Sequence, residues 1–295
     1  MLSSLLSNGQ PTTPDRLEPV VPWWSFSKTV LAATALTLVR DGRVRLDELI
    51  PGQPFTLRQL LRHEAGLADY GELAAYHAAV ENDEPAWPAD DMLKRLDAAR
   101  LRYSPGAGWG YSNVGYLFVA RLIERLTERP LDQAVAERVL SPLGLANVRF
   151  ARTRADMQSA QPAGTANYDP AWVYHGLLIG PVSQAAWLLD RLLGTDLLPV
   201  TLLEQMQTAR ILGGPLPGRP WLAPGYGLGV MQGAIVGGYT LCGHTGSGPG
   251  SVIAVYRVCD GDASACCAVF AAHGRQEAVE ARVVEQLMQG LGRAH

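Results

Sequence analysis

The chain has 295 residues, with 28 acidic side chains against 25 Lys and Arg and a net charge of −3 at pH 7. That balance gives no reason to expect nucleic acid as a partner, and 47% hydrophobic with 18% charged residues excludes a disordered chain. No apolar run reaches membrane-spanning length, and residues 1–10 lack the basic start and apolar core of a signal peptide. A cytoplasmic protein is expected, or a periplasmic or secreted one if the true start lies upstream.

In chain order, residues 1–21 are polar and weakly periodic. Residues 25–40 read as a buried helix that stops at Asp41-Gly42. It opens on Ser25-Phe26-Ser27-Lys28, and Lys28 is one of only two lysines in the chain. On a helix, residues three apart share a face, so hydroxyl and amine come within proton-transfer reach. Burial lowers the pKa of an ammonium, and a neutral lysine beside a serine is a general base beside a nucleophile. Taken alone, the pair also reads as a lysine snorkelling to the surface.

Residues 55–62 form a short helix with Thr56 as its N-cap. Helices are expected over 67–82, 89–99, 114–128, 131–140, 183–193 and 200–209, with loops over 103–112 and 151–169. The loop before the 114–128 helix carries Tyr111-Ser112-Asn113. A tyrosine hydroxyl can relay a proton, and an asparagine amide can hold a substrate carbonyl.

After residue 213, Gly, Pro and β-branched residues dominate. Strands are expected over 227–232, 234–241, 251–257 and 265–272, and a closing amphipathic helix over 276–291. The stretch Gly243-His244-Thr245-Gly246-Ser247-Gly248 fits a strand edge that admits a substrate backbone and offers an N–H to an oxyanion, or a Gly-rich turn. All four cysteines, Cys242, Cys259, Cys266 and Cys267, fall in this last part without metal-ligand spacing. They read as buried free thiols, with Cys242 near His244 the weaker reading as a nucleophile. No metal or cofactor is expected.

Helices followed by an antiparallel meander point to an α+β fold with a helical and a sheet layer. The expected division places 1–60 and 213–295 in a sheet subdomain and 61–212 in a mostly helical one, with the active site between them.

The order Ser-x-x-Lys, Tyr-x-Asn, His-Thr-Gly resembles the serine β-lactamase and penicillin-binding superfamily, and within it the class C β-lactamase-like branch of DD-carboxypeptidases, D-amino-acid peptidases and family VIII-type esterases. Pro14-Asp15-Arg16-Leu17, Leu60-Leu61-Arg62-His63-Glu64-Ala65-Gly66-Leu67, the stretch from Tyr111 to Leu145, and Tyr226-Gly227-Leu228-Gly229 are similar to further segments of that family.

The resemblance implies a β-lactamase/transpeptidase-like fold and an acyl-enzyme at Ser25. Lys28 would take the serine proton and Tyr111 would pass protons to the leaving group. Asn113, His244, Thr245, Gly246 and Ser247 would bind substrate, Thr245 gripping a carboxylate if one is present, and the N–H groups of Ser25 and Ser247 would form the oxyanion hole. The charge of His244, where many members carry Lys, stays open. The substrate would be a small ester or amide, with a D-amino-acid peptide or a β-lactam as the alternative. A third reading is a non-catalytic relative.

Only 24 residues precede Ser25. They are too few for the helix and two strands the family places there, so those strands are expected to be truncated, with residues 1–9 the remnant of one. The missing strands would leave the sheet edge beside residues 265–272 bare, with three explanations open: a start that lies upstream, another element filling the gap, or a homodimer through that edge.

Overall fold

The computed structural model describes residues 1–12, 18–160 and 167–293. The Pro14–Leu17 segment singled out above lies outside them.

The chain opens with β1 (Leu2–Ser7), β2 (Gln10–Pro11) and β3 (Val20–Pro22), then a 3₁₀ turn (Trp24–Phe26) that runs into α1 (Ser27–Arg40). Next come α2 (Leu57–Leu61), α3 (Ala74–Glu81), α4 (Ala89–Arg95), α5 (Asn113–Thr127) and α6 (Leu131–Val135). A middle stretch holds β4 (Arg149–Ala151), α7 (Arg154–Ser159), β5 (Leu177–Pro181), α8 (Val182–Gly194) and α9 (Val200–Gln207). The last part is β6 (Arg210–Ile211), β7 (Trp221–Tyr226), β8 (Met231–Ile235), β9 (Thr240–Gly248), β10 (Ser251–Asp260), β11 (Ala263–Ala272) and α10 (Gln276–Gly290).

Eight strands form one antiparallel sheet in the order β2-β1-β11-β10-β9-β8-β7-β6. Its two faces follow from period-2 alternation. The Cys266 thiol points to Ala186 of α8, and the Cys267 thiol, one residue on, points to Gln286 of α10. Helices α8 and α10 cover the opposite faces. The core is built accordingly: one cluster joins Leu6, Ile253, Val255 and Phe270 to the helical layer, and a second joins Leu5, Val252, Tyr256 and Val269 to Val283 and Leu287 of α10.

Helix α1 is apolar on every side and runs through the centre of the molecule, buried from Ser27 to Leu38. The Thr56 cap of α2 is a reciprocal capping box with Gln59.

The structure settles the sheet edge and corrects two expected elements. The sheet edge beside β11 is not bare, because residues 1–9, expected as the remnant of one strand, fill it: β1 pairs with β11 from Leu2↔Phe270 to Ser7↔Ala265, and β2 pairs with β1 at Leu6 and Ser7. The reasoning toward a homodimer rested on that bare edge.

Residues 227–230, expected to begin a strand, are instead the turn between β7 and β8, because Gly229 sits at φ +77° with its Cα against Ala32 of α1. A second, three-stranded sheet, β3-β5-β4, was not foreseen. The loop expected over 151–169 contains α7 (Arg154–Ser159), and its first residue ends β4 (Arg149–Ala151).

No helix among the described residues is long and apolar enough to cross a membrane.

Candidate active site

Ser25 sits in the 3₁₀ turn and Lys28 in the first turn of α1, so the helical repeat places Lys28 Nζ 3.2 Å from Ser25 Oγ. Lys28 is fully buried. Desolvation pulls its pKa from the usual lysine range to about 7, with Asp69 opposing in part. Trp24, next to the serine, is held at φ +43°, a left-handed conformation that costs energy for a side chain of this size. The indole is locked by a 2.9 Å bond to Ser251 Oγ and an edge-on contact with Tyr168.

The Tyr111-Ser112-Asn113 segment works as a unit. Ser112 is extended, at φ −142° and ψ +116°, and caps α5 by accepting from Gly115 N–H. An extended residue sends its two neighbours to the same side. Tyr111 therefore donates to Ser25 Oγ at 2.7 Å, and Asn113 Oδ1 accepts from Lys28 Nζ at 2.7 Å. Burial raises the Tyr111 phenol above its usual range, so it stands protonated beside the serine.

Asn113 is less available to a substrate than expected. Its Oδ1 is taken by Lys28, and its Nδ2 donates to Asp69 at 3.0 Å.

Strand β9 brings the third motif past the serine. A Cβ on Gly246 would lie 2.6 Å from Ser25 N and 2.8 Å from Trp23 O, so only glycine lets the strand approach this closely. Strand alternation then separates the side chains. Thr245 and Ser247 face α10, where Ser247 Oγ accepts from Gln276.

His244 is buried, with Nδ1 2.8 Å from the Thr245 carbonyl and Nε2 2.9 Å from Tyr226 Oη. The carbonyl can only accept, so Nδ1 carries the proton and Nε2 accepts from Tyr226. Burial first, then Lys28, pushes its pKa down to about 3. The ring is neutral at pH 7, which answers the question of its charge. Thr245 Oγ1 donates to the buried carboxylate of Glu280 at 2.5 Å and lies 2.7 Å from Tyr256 Oη.

Several side chains that meet at the site carried no signal as single residues. His175, just ahead of β5, places Nε2 3.2 Å from Lys28 Nζ, and burial holds it neutral. Asp69 orients Asn113 through both the backbone and side-chain N–H groups. The His63 ring packs 4.4 Å from that of Tyr111, and its Nδ1 accepts from Ser112 N–H. The Leu-Leu-Arg-His segment thus acts by positioning the tyrosine loop.

Cys242 is buried, its thiol pushed up to about 12, which removes it as a nucleophile. Cys259 is exposed, not buried as expected. No cluster of three or more His, Cys, Asp or Glu suited to a metal occurs among the described residues.

Two cavities meet at Ser25. The larger, about 730 Å³, is walled by Tyr111, Thr245, Tyr226 and the 213–216 segment with Arg219. The smaller, about 110 Å³, is lined by Trp24, Tyr70, Tyr76, Tyr168 and His175.

The family model described as Beta-lactamase matches residues 4–279. The chain belongs to the beta-lactamase family. Among curated proteins, it is 27% identical to a D-aminopeptidase from Brucella anthropi over 80% of this chain and 46% of that one. It is 26% identical to a lovastatin esterase from Penicillium rubens, over 50% of this chain and 43% of that protein. The chain thus spans less than half the length of these relatives.

A solved beta-lactamase-fold neighbour, a D-stereospecific amidohydrolase from Streptomyces sp., is 25% identical with a TM-score of 0.75, covering 98% of this chain and 94% of its own. The α+β architecture with an antiparallel sheet is the fold of that family.

Proposed function

We propose that the protein is a serine hydrolase that forms an acyl-enzyme at Ser25 and hydrolyses small esters or amides. The observation that carries this reading is Ser25 Oγ held at once by a lysine whose pKa has fallen to about 7 and by a protonated tyrosine.

Neutral Lys28 takes the serine proton as the Oγ–carbon bond forms. Backbone N–H groups of Ser25 and Ser247 receive the oxyanion. As the bond to the leaving group breaks, Tyr111 gives it a proton and is reprotonated from Lys28, and the leaving group departs as a neutral alcohol or amine. Water, deprotonated along the same path, then frees the acid and restores Ser25.

The smaller cavity, walled by aromatic rings, suits an acyl side chain of a few carbons. A second reading, hydrolysis of D-amino-acid amides, is favoured by the likeness to the Streptomyces amidohydrolase along nearly its whole length. The case for a non-catalytic relative rested on a missing edge strand, and β1 supplies that strand.

Intact-protein mass after exposure to a fluorophosphonate tests the reading. One adduct is expected, with fluoride lost and Ser25 Oγ bonded to phosphorus, and none in Ser25→Ala. A folded wild-type protein that takes no adduct overturns it. Ammonia release from D-phenylalanine amide, set against hydrolysis of a phenyl ester, separates the two substrate classes.

A further inference from the structure

Glu280, on α10, is 1% exposed. Four donors converge on its carboxylate: Oε1 accepts from Arg219 Nη2 and from Thr245 Oγ1, both at 2.5 Å. Oε2 accepts from Arg219 Nε at 2.8 Å and from Trp221 Nε1 at 3.2 Å. Nε and Nη2 form the edge of a guanidinium that grips a carboxylate through two parallel bonds. This is the donor set of a carboxylate-binding site, already filled by the chain's own side chain.

The site stands on the wall of the larger cavity, which both the buried Thr245 and the partly buried Arg219 line. That cavity is the leaving-group side. Tyr111, the proton donor to the departing atom, lines it and does not line the smaller one. Arg219 is the one charged side chain on the wall among the described residues. Its charge is matched by Glu280 behind it, and the neutral His244 adds none. A substrate carboxylate entering here meets no unspent cation and a hydroxyl whose proton is already given away. It would also lie close to the Glu280 carboxylate, whose charge Arg219 already balances, so the site offers it no net attraction.

We infer that Glu280 sets the specificity of the leaving-group side: by occupying the carboxylate-binding donors from within, it restricts the enzyme to leaving groups that carry no anion. This inference rests on the hydrolase reading of Ser25. It narrows the substrate class to esters and amides of neutral alcohols, phenols and amines, and it sets aside peptides whose leaving residue ends in a free carboxylate.

The test uses two esters of one small acid, the phenyl ester and the 3-carboxyphenyl ester, which differ in the charge on the leaving group. In the wild-type protein kcat/KM is expected to favour the phenyl ester by about tenfold or more. In Glu280→Gln, which keeps shape and frees the cation, that ratio is expected to fall by about tenfold or more, chiefly through a lower KM for the charged ester. If the unpaired Arg219 prevents Glu280→Gln from folding, the double variant Arg219→Gln/Glu280→Gln, with no charge at the site, is read instead. Its ratio is expected to fall to about threefold or less.

A wild-type protein that takes the 3-carboxyphenyl ester as well as the phenyl ester overturns the inference. So does a folded variant with an unchanged ratio. Either result leaves the acyl-enzyme reading intact. Failure of Ser25 to take the fluorophosphonate would instead sink that reading, and the inference with it.

Discussion

A lysine with no exposed surface ties catalysis and stability to the same proton. Lys28 has a folded pKa of about 7, below the 10.5 of an exposed lysine. Between those values the unfolded chain binds the extra proton, so stability rises with pH across that window; below about 7 both states are protonated and the penalty is complete. Lys28→Met therefore should melt at a higher temperature than wild type near pH 7, with the gain shrinking as pH approaches 10. The same variant should lose fluorophosphonate labelling by about 10²–10⁴-fold, the usual contribution of a general base. Wild-type labelling should fall about tenfold per pH unit below a midpoint near 7, because only the neutral amine accepts a proton. Labelling of Lys28→Met at the wild-type rate, or a midpoint in the carboxylate range, would remove Lys28 as the base. The pair itself was legible, since i and i+3 spacing on a helix is local geometry. His175 was not: 147 residues separate it from Lys28, and a lone histidine before an apolar strand carries no pattern.

Elements whose termini are set by neighbouring residues were read well, and those set by distant contacts were not. The Thr56 cap and the apolar run of α1 are local signals, and both elements lie where the sequence placed them within a residue or two. The Tyr-Gly-Leu-Gly stretch looked like a strand, yet it turns because Gly229 must pass against Ala32, which no window of local sequence contains. Strand β9 has the same kind of constraint at Gly246. A methyl group there would overlap Ser25 N and Trp23 O, both backbone atoms that cannot swing aside. Gly246→Ala is expected to remain folded but to label at Ser25 at least about tenfold more slowly, because a small misplacement of the nucleophile is enough for that loss. A wild-type labelling rate in that variant would show that the strand and the serine turn are not rigidly opposed.

At the scale of the molecule, the sheet is finished by the first residues of the chain. Strand β1 covers the β11 edge and buries Leu5 and Leu6, one on each face. Removing residues 1–9 should cost about 3 kcal/mol or more from those two side chains. It should also leave the β11 ladder unpaired and promote self-association. Urea unfolding and light scattering would check both, and an equally stable, monodisperse truncated protein would deny β1 its structural part. The sequence by itself determined the fold class and the family and singled out Ser25, Lys28, Tyr111 and Asn113, which the structure brings into contact, because helical spacing, capping and a fixed order of short motifs are written along the chain. Tertiary structure alone decided the neutral state of His244, the meeting of His175 with Lys28, and the capture of Thr245 and Arg219 by Glu280. Each of these depends on burial and on groups brought together from distant parts of the chain, and electrostatics in a water-excluded interior is set by that company rather than by the residue's own type.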